Sequence, residues 1–140
     1  MLKQALTHRS ASKKNNERLE FLGDALLNFI VARRLYERNK NDSEGDLSRL
    51  RAALVKGETL ADIGRELGVE PHIIVGPGEL RSGGARRSSV LANTVEALVG
   101  AVLLDGGFAA AETCVNRLMT ERLNTLPDAA NPKDSKTRLQ

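Results

Sequence analysis

The sequence predicts an all-α fold, and three observations carry that prediction. Glu, Leu, Ala and Arg are plentiful while runs of β-branched residues are few. Apolar residues recur at three- and four-residue spacing over long stretches. Glycines and short polar clusters divide the chain, with no alternating strand pattern between them. At 140 residues the chain is long enough for one compact domain with a real core.

Each element follows in order. Leu2 to Ser10 is predicted as a short helical piece and Ala11 to Asn15 as a polar loop. A long helix runs from Asn16 to about Arg38, with Leu19, Leu22, Leu26, Phe29 and Ile30 as its core-facing stripe. Asn39 to Asp42 breaks it. Ser43 is placed to cap a helix starting at Glu44, with Asp46 at a box-like position and Leu47, Leu50 and Leu54 facing inward. Gly57 interrupts that helix, and another extends from about Glu58 to Leu67, ahead of Gly68. Ile73 to Arg87 is glycine-rich and predicted as loop. Ser88 to Leu104 is helical, and its small side (Ala92, Ala97, Gly100, Ala101) lets another helix approach closely. DGG at Asp105 to Gly107 is predicted to stop it, and Phe108 to Leu126 forms the last amphipathic helix. Residues 1–126 are thus assigned to the domain and 127–140 to a polar linker; no internal repeat is found.

Composition excludes several function classes. One cysteine, Cys114, rules out an internal disulfide and a CxxC zinc site, and is expected in the core. His8 and His72 are too few and too far apart in sequence for a zinc centre. His8 and Ser10 in THRS lack an acid for a nucleophilic triad and are expected to be structural. The longest apolar run, Ala97 to Leu104, is short of a membrane span, so no membrane partner is expected. No signal-peptide pattern opens the chain, which makes the cytoplasm the default location. GPGELRSGG lacks the GK[ST] ending of a phosphate loop, so no nucleotide cofactor is expected; Arg81, Arg86 and Arg87 are instead placed to touch a nucleic-acid backbone. Aromatic residues make up 3%, which argues against reading single strands by base stacking and fits reading a duplex by shape.

The acids carry the functional signal. With about 100° of turn per residue, Glu17, Glu20 and Asp24 fall within about 60° of one another on the long helix. Glu20 and Asp24 have no Lys or Arg at the three- or four-residue positions that could pair with them. Asn93 and Glu96 share a face one turn apart on a second helix, and Glu96 also lacks a basic helical neighbour. Like charges in an apolar segment cost stability unless something outside the helix compensates, and a hard divalent cation bound through oxygen does so. Net charge is only +3, but setting Glu17, Glu20, Asp24, Glu44 and Glu96 aside as one site leaves a distinctly basic remainder. An acidic pocket in a basic field suits a metal acting on a polyanion.

NNERLEFLGDALLN (Asn15 to Asn28) resembles the signature of the ribonuclease III family, Mg²⁺-dependent endonucleases specific for double-stranded RNA. The resemblance continues through ALTHRS, EGDLSRLRA, GPGELRSGG and TVEALVGA, covers nearly the whole chain and is closest to bacterial members. It implies an all-α endonuclease domain working as a homodimer on double-stranded RNA, with rRNA and mRNA precursors as the expected substrates. It also implies Mg²⁺ as the cofactor, with Mn²⁺ as an alternative. Carried over residue by residue, Glu20, Asp24, Asn93 and Glu96 fall on the metal-binding positions. Asp24, Glu96, Glu20 and Glu17 are the catalytic set, with Glu17 also engaging RNA. Glu44 falls on another acid of the substrate valley, and Phe21 on an aromatic that inserts into the partner subunit.

The implied reaction is attack of a metal-activated water on phosphorus with no covalent intermediate, leaving 5′-phosphates and short 3′ overhangs. Asn93 departs from the family pattern, where many members have Asp; an amide oxygen can ligate but brings no charge. This keeps open an alternative: a catalytically weakened or inactive module for double-stranded-RNA binding or dimerisation. The chain begins inside the family's first helical region, so the resemblance implies a missing N-terminal segment. Residues 127–140 would lead toward an absent double-stranded-RNA-binding domain.

Overall fold

The protein is described by a computed structural model over residues 1–126, so the linker expected at 127–140 lies outside the described residues. Its helices are α1 (Leu2–Ala5), α2 (Glu17–Arg38), α3 (Glu44–Val55), α4 (Gly57–Leu67), α5 (Pro77–Arg81) and α6 (Ser88–Asn124). Among the described residues there is no β-strand, only an isolated bridge between Thr7 and Ile74. α6 is the hub and packs most extensively on α2 and α4. Leu27, Ile30, Val31, Leu35, Leu60, Ile63, Val95, Val115 and Met119 form the main core. Ser43 caps α3 as expected, its Oγ accepting from the Asp46 amide at 3.1 Å.

Several expectations need correction. Leu2 to Ser10 is helical only to Ala5; beyond it the backbone turns to pair with Ile74, through His8 N–H to the Ile74 carbonyl at 2.8 Å. Ile73 to Arg87 is not all loop, because Pro77 at the first turn of α5 fits a helix start and a 3₁₀ turn follows at Gly84–Arg86. α4 begins at Gly57 itself. The DGG stop, by contrast, is where expected: Gly107 leaves helical geometry (φ 87, ψ 175) and divides α6 into two helical segments, at the one residue type that adopts that backbone freely. Cys114 is half-buried and not in the core. By length and apolar composition alone, α6 is the one helix among the described residues long and apolar enough to cross a membrane. Its Val95, Val99 and Val115 lie in the core of the bundle.

The stripe on α2 is also shifted. Phe29 is 52% exposed and Leu22 and Leu26 are half-buried, while Leu19, Gly23, Leu27, Ile30, Val31 and Leu35 are buried. A search for large apolar residues misses the reason, which is that the helices meet at glycine. A Cβ on Gly23 would lie 1.7 Å from the Glu96 carbonyl oxygen, and one on Gly100 would lie 2.4 Å from that of Leu19. The small side expected on α6 is therefore where α2 comes closest.

Candidate active site

This backbone-to-backbone contact places the acids. Gly23 rests on Glu96, so the preceding turn of α2 and the next residue, Asp24, face the Glu96 side chain. Asp24 and Glu96 share a side-chain hydrogen bond. Burial first, then that bond and the charges of Asp24 and Glu20, push the Glu96 carboxyl up to about 8. Glu20 is raised as well, by burial and then by Glu17 and Asp24, against a lowering from Arg9. Asn28 supports Asp24 from one turn away, donating to its backbone carbonyl at 2.9 Å. Glu17, Glu20, Phe21, Asp24 and Glu96 line one shallow pocket.

A second, deeper cleft of about 540 Å³ shares Glu17 and Glu20 with it and adds Asn93, Asn16, Arg9 and Arg87. The structure thus brings Glu17, Glu20, Asp24, Asn93 and Glu96 into one connected groove. It does not bring Glu44 there within one protomer. At about 1.5 Å per residue, α2 carries the chain about 27 Å from Glu20 to Arg38 before α3 starts at Glu44. Among the described residues Glu17, unlike Glu20 and Asp24, has a basic ion-pair partner, Arg9 at 3.3 Å. Helical spacing could not reveal this, because Arg9 comes from the loop before α2. His8 and Ser10 do hold structure: Ser10 Oγ lies 2.8 Å from His8 Nδ1 and accepts from the Gly76 amide at 2.8 Å.

Among the described residues no three His, Cys, Asp or Glu side chains are close enough to hold a metal by themselves. What is present is an all-oxygen donor set in which the protonated Glu96 carboxyl is hydrogen-bonded to Asp24. That chemistry fits a hard cation, which would take the proton's place.

A Ribonuclease-III-like family model matches residues 1–123. The chain belongs to this family. It is 58% identical over its whole length to ribonuclease 3 of Nitrosococcus oceani and 52% identical to that of Vibrio vulnificus, spanning 61% and 62% of those relatives. The chain therefore covers about three fifths of the length of the curated relatives it matches. The nuclease domain of Campylobacter jejuni ribonuclease III superposes with a TM-score of 0.84 at 43% identity, over 88% of this chain and 87% of that one. That structure concerns flexibility in a region involved in dimer formation. Dicer from Pichia stipitis superposes at 0.68 and 28% identity, over 88% of this chain and 55% of its own. The ribonuclease III membership agrees with the fold and with the signature quoted above.

Proposed function

We propose that this chain is the catalytic domain of a Mg²⁺-dependent endoribonuclease that cuts double-stranded RNA, leaving 5′-phosphates and short 3′ overhangs. The observation that carries this reading is the Asp24–Glu96 carboxyl pair, flanked by Glu20 and formed where α2 and α6 touch through glycine. Glu20, Asp24 and Glu96 would hold the cation, with the Asn93 amide oxygen as a neutral fourth donor. When bound, the cation acidifies water and offsets charge at the phosphate. The protein's own contribution is to fix the acids before substrate arrives, and to present Arg9 and Arg87 along the cleft for the flanking backbone.

The domain acts as a homodimer in this reading. Phe21 is 80% exposed at the edge of the acidic pocket. Phe29 and Phe108, whose ring centroids are 6.2 Å apart, add exposed apolar surface on α2 and α6. An aromatic anchor beside such a patch is what a self-complementary interface needs.

Labelled duplex RNA, incubated at low salt with Mg²⁺ or with EDTA, tests the reading. Staggered cuts with Mg²⁺ alone are expected. Asn93 favours the second reading, a binding or dimerisation module with weak catalysis. Binding without cutting, restored to cutting by Asn93→Asp, would mark Asn93 as the cause.

A further inference from the structure

Asn16 stands at the amino end of α2 and is only 3% exposed. An asparagine in that place ordinarily turns its side-chain oxygen onto a free amide of the first helical turn. Here it makes no such bond; the neighbouring Asn15 Oδ1 takes the Glu17 amide instead, at 3.0 Å. Asn16 Nδ2 donates to the Ala5 carbonyl at 3.1 Å. That bond fixes the orientation of the amide, since a flip would set two carbonyl oxygens against each other. Oδ1 is left with no hydrogen bond from any described residue, and a buried acceptor left unmet is costly.

Asn16 is also part of the wall of the deeper cleft, beside Glu17, Glu20 and Asn93. Arg9, paired with Glu17, and Arg87, held by Glu79 at 2.7 Å, line the same cleft. Their charge suits phosphates. The Asn16 oxygen does not, because phosphate, ester and ring oxygens of a nucleic-acid backbone are all acceptors. The one donor that backbone carries is the ribose 2′-hydroxyl, and DNA lacks it.

We propose that Asn16 Oδ1 accepts a hydrogen bond from the 2′-hydroxyl of a ribose flanking the cut phosphodiester, making this cleft a point at which the domain distinguishes RNA from DNA. The assignment rests on the endonuclease reading above.

A short duplex cut at one site, carrying a single 2′-deoxy or 2′-fluoro sugar at each position around the cut in turn, tests it in single-turnover cleavage with Mg²⁺. At one position per strand both substitutions are expected to slow cleavage about tenfold, because neither can donate. With Asn16→Ala that position becomes insensitive, with a residual difference of about twofold or less. The sugar series on the unchanged chain stands alone if loss of the Ala5 contact unfolds the variant. A 2′-fluoro sugar that restores the rate would show the group acting as an acceptor and overturn the assignment. So would uniform cutting of every sugar variant, which leaves the nuclease reading intact. Failure to cut the all-ribose duplex would overturn both.

Discussion

The two halves of α2 pack against the same helix by different means. The C-terminal half uses large side chains: Leu27, Ile30, Val31 and Leu35 join Val115, Met119 and Leu123 of α6 in one core cluster. Its outer side is tied by Arg33 to Glu112 at 3.1 Å and by Arg34 to Asn116 at 2.7 Å. The N-terminal half meets α6 through backbone, with Gly23 against the Glu96 carbonyl and Gly100 against that of Leu19. Ordinary packing gives stability at one end. At the other, an unusually close approach forces Asp24 and Glu96 together at a cost to stability, and that is where the acids needed for function stand.

Replacing a carboxyl breaks the contrast most sharply. Glu96→Gln or Asp24→Asn is expected to lower duplex-RNA cleavage by about three orders of magnitude, equivalent to about 4 kcal/mol in the barrier. Thermal unfolding should show no loss of stability, because an amide keeps a hydrogen bond within the pair and carries no charge to bury. An unchanged single-turnover rate would separate this pair from the reaction.

Two stability variants sharpen it further. Gly23→Ala drives a methyl into the Glu96 carbonyl and is expected to cost about 3 kcal/mol or more. Leu27→Ala should cost about 2–5 kcal/mol as a buried cavity. Activity per folded molecule, with the folded fraction taken from urea unfolding, is expected to fall for the glycine variant and hold for the leucine one. Equal losses for both would mean that the close approach has no special role.

A smaller effect is expected from pH. Glu96 keeps its proton to about 8 in the folded chain, against 4.5 for the free side chain. Between those values the folded state binds more protons than the unfolded state, so this group's contribution to stability declines as pH rises. Glu20 shifts in the same direction. In EDTA the thermal midpoint should drift downward across that window. Glu96→Gln should flatten the drift, and added Mg²⁺ should oppose it most at the alkaline end. A Glu96-dependent rise with pH would contradict the burial and pairing described for it.

The smallest effect concerns the surface ties. A double-mutant cycle on Arg33 and Glu112 is expected to give a coupling below about 1 kcal/mol, with no change in cleavage. A larger coupling would shift part of the stability of the C-terminal half from its core to its surface.

Much of the site was legible because helical period is a local property. Glu17, Glu20 and Asp24 share a face wherever that helix sits, and Asn93 and Glu96 do the same on theirs. Ser43 announced its cap, and the small side of Ser88 to Leu104 announced a close neighbour. The stripe on α2 was misjudged because glycine carries no hydrophobic signal, yet Gly23 marks the deepest contact. The Arg9–Glu17 pair and the freed oxygen of Asn16 were invisible for another reason. Both arise where a loop folds back on a helix start, which no spacing rule describes.

By itself, then, the sequence determined the all-helical character, the family signature and which acids share a helix face, because backbone period and side-chain type dictate those. Tertiary structure alone decided that Glu96 is hydrogen-bonded to Asp24, that Glu44 stands a helix length away, and that the Asn16 amide donates to Ala5 in the wall of the cleft. Those outcomes depend on distances between elements far apart in the chain, and a glycine crossing or a folded loop sets such distances only once the whole core has closed.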